Sequence, residues 1–179
     1  MLQVKDLKLL SIKDFANENI FVLELEGLAS KIWHECYKGI LSNAQIDYML
    51  ENFYSKESLL KALAEGYVFY IIQKQHVSLG YLGLKVAKCD FVDEVKSSCK
   101  KSVFIDKLYI KKEHRGEKIA YKLLKSLEEN FQILWLYVNK NNVSAISFYE
   151  KFGFKNIYSV KKDIGGGYFM DDYVYVYEG

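Results

Sequence analysis

The strongest constraint on this fold is a change in the spacing of apolar residues along the chain. Over residues 21–36 apolar side chains recur at steps of three and four, which predicts one buried helical face. From residue 67 onwards the apolar residues form short runs of strand length, and the runs 67–74 and 79–88 flank a polar turn at 75–78. The sequence therefore predicts an initial strand within residues 2–10, a helical first third, and a sheet built from the remainder.

Capping residues divide the helical third into three segments. Asp14 is predicted to cap the first helix, and Gly39 is predicted to end it. Ser42 has a glutamine three residues later, which is the spacing of a capping box, and so begins the second helix. Ser55 is predicted to begin a third, short helix that ends at Gly66.

Strands and helices alternate in the second half of the chain. Further strands are predicted at 103–110, 133–138, 154–160 and 168–178, and helices are predicted from Lys118 and over 143–152. The polar residues 89–101 are interpreted as a surface connection. Two crossovers through helices imply parallel strand neighbours. We therefore expect a mixed α/β (α+β) sheet with helices on both faces, in one domain spanning residues 1–179.

Composition excludes several classes of function. The chain has 179 residues, half of them hydrophobic, and a formal net charge of +2, so neither nucleic acid nor an anionic membrane is an expected partner. No apolar run approaches the roughly 20 residues of a membrane span, and the first residues do not resemble a signal peptide. Cys36, Cys89 and Cys99 lack the spacing of metal ligands. We expect a cytoplasmic protein with free thiols and no metal.

The sharpest local feature is the loop between the predicted strand 103–110 and the helix that follows it. The loop contains Arg115, the only arginine among the 25 basic residues. The unpaired amides and partial positive charge of a helix N-terminus bind phosphate, and the small residues Gly116 and Ala120 allow a ligand to approach the backbone. An ordinary connection with a basic cluster would have the same composition. The loop is neither a Walker loop nor a Rossmann fingerprint.

A second motif follows the strand 133–138 and has the spacing N-x-x-A-x-x-x-Y-x-x-x-G-F; its members are Asn142, Ala145, Tyr149, Gly153 and Phe154. Together with the loop, this segment resembles the GNAT superfamily of acetyl-CoA-dependent N-acetyltransferases, which has an R/Q-x-x-G-x-G/A loop after its fourth strand. The resemblance covers about residues 67–178 and implies a mostly antiparallel sheet of about seven strands. Lys118 stands where the family most often has glycine, and we expect it to be tolerated with a negative φ.

The resemblance implies a site for acetyl-CoA as co-substrate. The pantetheine arm would lie in a gap between the fourth and fifth strands and bond the main chain of Leu108, Tyr109 and Ile110. The pyrophosphate would face Arg115 and the amides of Gly116, Glu117, Lys118, Ile119, Ala120 and Tyr121. The side-chain amide of Asn142 would also reach the cofactor. Residues 108–110 are equally expected as core strand, because the cofactor uses their main chain and the core their side chains.

Two residues are the candidates for proton transfer. The resemblance makes Tyr149 the general acid for the coenzyme A thiolate, and the alternative role is that of a packed aromatic. Asp106, on the fourth strand, is the first choice for the base that takes a proton from the amine. A solvent-facing strand residue is its alternative role, and Glu35 and the pair Asp171 and Asp172 are held in reserve.

The acceptor is predicted to be a primary amine bound by Trp33, Glu35 and Asp171, since aromatic and acidic groups together suit a cation. Burial of Trp33 in the core is the alternative. The segment around these first helices loosely resembles a bacterial branch that includes polyamine acetyltransferases. Acetylation of a protein N-terminus or lysine, and a non-catalytic acyl-CoA-binding regulatory domain, remain alternatives. The GGG run at 165–167 is interpreted as a turn rather than a flap over the acceptor, and a homodimer is left open.

Overall fold

The computed structural model describes residues 4–90 and 101–179, and this part of the chain forms a seven-stranded sheet and five helices. The strands are β1 (Lys8–Leu10), β2 (Tyr67–Lys74), β3 (Val77–Val86), β4 (Ser102–Ile110), β5 (Ile133–Asn139), β6 (Lys155–Gly165) and β7 (Tyr168–Glu178). The helices are α1 (Glu18–Cys36), α2 (Asn43–Tyr54), α3 (Lys56–Ala64), α4 (Ile119–Glu128) and α5 (Val143–Phe152). The mixed α/β class predicted from the sequence is confirmed.

The sheet has the strand order β1-β2-β3-β4-β5-β7-β6 and is mostly antiparallel. The crossover through α4 joins parallel neighbours as predicted, with Ser102–Phe104 of β4 paired to Ile133–Trp135 of β5. For the crossover through α5 the prediction is wrong, because β7 lies between β5 and β6. β2 and β3 are joined by Gln75 and His76, both with positive φ, as the type I′ turn of a two-residue hairpin requires. The turn is therefore shorter than the sequence predicted.

The helices begin where side-chain caps are available. The Oγ of Ser42 accepts from the backbone N–H of Gln45 and the Oγ of Ser55 from that of Ser58, so both predicted starts are confirmed. The prediction that Asp14 caps α1 is wrong. Its carboxylate accepts from the N–H of Ser11 at 2.8 Å and closes a short 3-10 turn instead. α1 is capped by Asn17, whose Oδ1 accepts from the N–H of Ile20 at 3.1 Å.

The described residues group into two compact units. The first unit comprises residues 1–84 and 107–126, so it contains α1, α2, α3, β1, β2, the end of β4 and most of β3 and α4. Its core is the buried face of α1, with Phe21, Leu25 and Ile32 fully buried. Gly80 of β3 lies so close to β4 that an added Cβ would be 2.1 Å from the carbonyl oxygen of Tyr109. Glycine is therefore required at this point of contact.

The second unit comprises residues 85–106 and 127–179, which include β5, α5, β6 and β7. Its core lies on β5 and β7, where Leu134, Val174 and Tyr175 are buried. The predicted surface connection at 89–101 falls mostly on residues 91–100, which lie outside the described part of the chain, as does Cys99. Within the described part, no helix has the length and apolar character needed to span a membrane.

Candidate active site

The loop between β4 and α4 is tied back to the strand that precedes it. After Ile110 the chain makes a 3-10 turn over Lys112–His114 and reaches Arg115. The Nε of Arg115 donates to the carbonyl oxygen of Ile110 at 3.0 Å. This hydrogen bond holds the start of the loop against the end of β4.

Two residues with left-handed backbone turn the loop into the start of α4. Gly116 has φ +93° and Lys118 has φ +58°. The expectation of a negative φ at Lys118 is wrong: the loop keeps the backbone that glycine would have here, and lysine accepts the strain, which costs about 1–2 kcal/mol. The first helical bond runs from the N–H of Lys122 to the oxygen of Lys118 at 3.0 Å. The amides of Ile119 and Ala120 therefore precede the helical ladder and form an N-terminus of the kind that binds phosphate.

Two side chains contact the carboxylate of Glu117, and one of them is the cation Lys74. His114 Nδ1 lies 2.8 Å from one of its oxygens and Lys74 Nζ lies 3.1 Å from the other. The bonds from His114 and then Lys74 lower the pKa of Glu117. Because these contacts compensate its negative charge, Glu117 is compatible with an anion-binding loop. The contact between Lys74 and Glu117 is not predictable from a local pattern, since Lys74 lies on β2, 43 residues away.

The second motif is explained by the ends of α5. Asn142 is its N-cap, with Oδ1 accepting from the N–H of Ala145 at 3.2 Å, which leaves the side-chain NH₂ as the donor that the predicted role requires. Gly153 ends the helix with φ +119°. Tyr149 is 8% exposed, and its ring centroid lies 5.4 Å from that of Phe154. The motif thus fixes both ends of α5 and the setting of Tyr149.

Asp106 lies on an aromatic face of the second unit. The ring of Phe104 lies 4.4 Å from that of Trp135 and 5.6 Å from that of Tyr137. Asp106 follows Phe104 by two residues on β4, so strand alternation puts it on the same face. The first-choice base is half-buried there.

Asp172 is the most unusual carboxylate of the second unit. It is paired with Asn139 across the β5–β7 ladder and is 8% exposed. Its Oδ1 has no hydrogen-bond partner in the described part of the chain. Burial, followed by the negative charge of Asp171, raises its pKa to about 6, although Lys140 opposes the shift. From the sequence, Asp172 is only a reserve candidate for the base, because its pairing with β5 is not visible in a local pattern.

Asp171, predicted to bind the acceptor, already has a cation. Its carboxylate forms an ion pair with Lys140, and its carbonyl oxygen accepts from the N–H of Lys140 at 3.0 Å. Adjacent strand residues point to opposite faces, so the side chains of Asp171 and Asp172 lie on different faces of β7. The two neighbouring aspartates therefore differ: Asp171 forms an ion pair with Lys140, and Asp172 forms none among the described residues.

Trp33 lies in the core of the first unit. It is 4% exposed, and its Nε1 lies 2.9 Å from the hydroxyl of Tyr54 and 3.0 Å from that of Tyr81. The hydroxyls of Tyr37 and Tyr109 are 2.9 Å apart in the same cluster. These contacts favour the alternative role of Trp33 as a core residue.

The predicted residues divide between the two units. Glu35 belongs to the first, where its Oε2 accepts a long, 3.5 Å bond from the N–H of Lys112. The first unit also holds residues 108–110 and the loop 115–121, and the second holds Asp106, Asn142, Tyr149 and Asp171. Over residues 4–90 and 101–179, no group of three His, Cys, Asp or Glu side chains is arranged to hold a metal ion.

Both motifs fall within the match to a known protein family. The model of the acetyltransferase (GNAT) family matches residues 29–154, which include the β4–α4 loop and the Asn142–Phe154 motif. The chain belongs to the GNAT family. The GNAT fold and the acetyltransferase class predicted from the sequence are therefore confirmed.

Solved structures with the same fold come from several sources. The PaiA N-acetyltransferase of Thermoplasma acidophilum, in complex with coenzyme A, is 24% identical, with a TM-score of 0.68 over 97% of this chain and 98% of that one. A GCN5-related N-acetyltransferase from Rhodopseudomonas palustris has a TM-score of 0.71 at 15% identity, covering 100% and 98%. Naa50 of Arabidopsis thaliana, in complex with a bisubstrate analogue, has a TM-score of 0.58 at 19% identity, covering 97% and 99%.

Proposed function

We propose that this GNAT protein transfers the acetyl group of acetyl-CoA to a primary amine, by direct attack within a ternary complex. The observation that carries the proposal is the β4–α4 loop, in which Arg115 holds the loop to Ile110 and two left-handed residues lead into the N-terminus of α4. That arrangement suits a pyrophosphate, and the coenzyme A in the complex of the Thermoplasma protein carries one.

The cofactor roles follow from the groups that each segment offers. The amides of residues 116–121 and the remaining donors of Arg115 would bind the pyrophosphate. The main chain of Leu108, Tyr109 and Ile110 would bond the pantetheine arm, and Asn142 would add its NH₂. β4 and β5 pair over only three residues, although the strands are nine and seven residues long. This short pairing supports a gap between the two strands in which the pantetheine arm would lie.

The chemistry needs a proton acceptor and a proton donor. The amine nitrogen forms the new C–N bond with the acetyl carbon, and the C–S bond breaks. A primary ammonium has a pKa near 10.4, so its neutralisation at pH 7 costs roughly 4–5 kcal/mol, and a carboxylate must take the proton. We assign the removal of the proton from the amine to Asp106. We assign the protonation of the leaving thiolate to Tyr149, a buried residue of α5, whose two ends are fixed by Asn142 and Gly153.

The acceptor class proposed is a small cationic amine, such as a polyamine. The buried carboxylate of Asp172 and the carboxylate of Asp106 on β4 support a cation in the second unit, whereas the core position of Trp33 removes one of the aromatic groups on which the prediction depended. Acetylation of a protein N-terminus or lysine is the other substrate class. A non-catalytic acyl-CoA-binding domain is the third reading.

The test measures coenzyme A release from acetyl-CoA, detected as free thiol, in the presence of each amine of a panel. Spermidine, spermine, amino acids, aminoglycosides and peptides separate the substrate classes. We expect Tyr149→Phe to lower kcat by about a hundredfold while leaving the affinity for acetyl-CoA unchanged, since a general acid typically contributes that much. Tyr158→Phe, at a tyrosine that is 55% exposed in the same unit, is the matched control.

Each outcome of the panel decides between the readings. Coenzyme A release with peptides but with no small amine would indicate a protein or peptide substrate. Acetyl-CoA binding without release for any amine would favour the regulatory domain. Full activity of Tyr149→Phe would remove Tyr149 from the acid role.

A further inference from the structure

One face of the β5–β7 ladder brings together an exposed aromatic ring and a buried carboxylate. Asn139 is paired with Asp172, and Tyr137 with Val174. Residues two apart on a strand share a face, so Tyr137, Asn139, Asp172 and Val174 lie on the same side. Tyr137 is 41% exposed, unlike the other residues of β5, which are buried.

The chain that follows β3 is fastened beside this face. The carbonyl oxygen of Ala87 accepts from Ser102 Oγ at 2.6 Å and from Trp135 Nε1 at 3.4 Å. Two residues further on, Cys89 is buried, and Asp90 is exposed. Burial raises the pKa of Tyr137, and electrostatic interactions with Cys89, Asp172 and Asp90 raise it further.

Asp172 lacks the partner that its burial demands. A buried carboxylate without a donor loses the hydrogen bonds that water would provide. Its Oδ1 has no hydrogen bond within the described residues, and the cation that acts on it, Lys140, forms an ion pair with Asp171 on the opposite face. A cationic donor placed on the face of Tyr137 would satisfy that oxygen, while an anion would meet Asp172 and Asp90.

We propose that Asp172 and Tyr137 form the subsite that receives the cationic amino group of the acceptor. Asp172 accepts a hydrogen bond from the ammonium, and the ring of Tyr137 contacts the cation through its face. The inference rests on the proposed acetyl transfer to an amine and adds to it the side chains that select the acceptor. From the sequence, Asp172 is only a reserve candidate, and Tyr137 is not a candidate.

The test compares the kinetics of Asp172→Asn with those of the unsubstituted protein, using the best amine of the panel. We expect KM for the amine to rise about tenfold or more, because a hydrogen bond to a charged group is lost, while the melting shift with acetyl-CoA is unchanged. Tyr137→Leu, which removes the ring, should raise KM several-fold. Asp163→Asn is the matched control: it removes one charge from the same hairpin and keeps an acceptor for the N–H of Gly165.

The failure of this inference is distinguishable from that of the proposed function. A KM for the amine within twofold of the unsubstituted value in Asp172→Asn, with normal turnover, would overturn the subsite and leave acetyl transfer standing. Absence of both a melting shift and coenzyme A release in the unsubstituted protein would overturn the proposed function and the subsite together. If Asp172→Asn does not fold, Asp172→Ser, which also removes the charge, is measured in its place.

Discussion

Asp172 shows how one residue can oppose stability. Its pKa is raised from 3.8 to about 6 in the folded chain, so the folded state binds a proton more tightly than the unfolded state. The free energy of unfolding should therefore fall as pH rises from about 4 to about 6, by about 3 kcal/mol for this group. The charge of Asp171 adds to this rise in pKa, and that of Lys140 opposes it.

Urea denaturation of the unsubstituted protein and of Asp172→Asn, from pH 4 to pH 8, isolates this effect. Groups with lowered pKa values, such as Asp14 and Glu117, contribute in the opposite direction but are common to both proteins. We expect Asp172→Asn to be the more stable protein above pH 6 and to lack that part of the fall. Parallel pH profiles would show that the carboxylate of Asp172 does not titrate in this range.

Arg115 is bound through a nitrogen that lysine does not have. Its Nε donates to the oxygen of Ile110, and lysine retains the charge but not the planar fork. Arg115→Lys should therefore weaken acetyl-CoA binding about fivefold, the equivalent of about 1 kcal/mol for one hydrogen bond, as measured by calorimetry. Lys112→Ala, which removes a charge from the same loop, should have a smaller effect. Equal dissociation constants for Arg115→Lys and the unsubstituted protein would assign the sole arginine no role in the site.

At the scale of the elements, the loop before α4 contains two residues with left-handed backbone, and the conformation costs free energy at only one of them. Gly116 adopts φ +93° without a steric penalty, whereas Lys118 adopts φ +58° with one. We expect Lys118→Gly to raise the free energy of unfolding by about 1 kcal/mol and Gly116→Ala to lower it by a similar amount, both by urea denaturation. An added Cβ at Gly116 has no heavy atom within 4 Å, so its cost is that of the backbone alone.

Lys118→Ala separates the backbone from the charge. It keeps the strained φ and removes the ammonium, so it should be no more stable than the unsubstituted protein. A gain equal to that of Lys118→Gly would mean that charge repulsion, not backbone conformation, is the source of the strain.

Elements whose signals are local were predictable. Ser42 and Ser55 cap helices because a side-chain oxygen meets an amide three residues later, a contact that the sequence contains entirely. The Asn142–Phe154 motif predicted a helix for the same reason, since its cap and its C-terminal glycine lie at the two ends of that helix. Asp14 failed because Asn17 offers an equivalent cap closer to the observed helix start, and spacing alone does not choose between them.

For the molecule as a whole, acetyl-CoA should stabilise the folded chain by mass action. At a concentration a hundred times the dissociation constant, the stabilisation is about 2.7 kcal/mol, which for a chain of this length raises Tm by about 5–10 °C. Differential scanning fluorimetry measures the shift. Pantetheine, which lacks the pyrophosphate, is the control and should give a smaller shift at the same concentration. An unchanged Tm at saturating acetyl-CoA would contradict the cofactor assignment.

The sequence by itself determined the mixed α/β class, the helix caps and the spacing of the two motifs, because these are properties of neighbouring residues. The resemblance of the motifs to the GNAT family predicted the fold and the acetyltransferase class, which the family match confirms. Only the tertiary structure decided which side chains those elements bury or pair. Trp33 became a core residue through the hydroxyls of Tyr54 and Tyr81, and Asp172 was separated from Asp171 by the pairing of β7 with β5. Burial and charge depend on partners distant along the chain, so the environment of a carboxylate is decided only once the strands have paired.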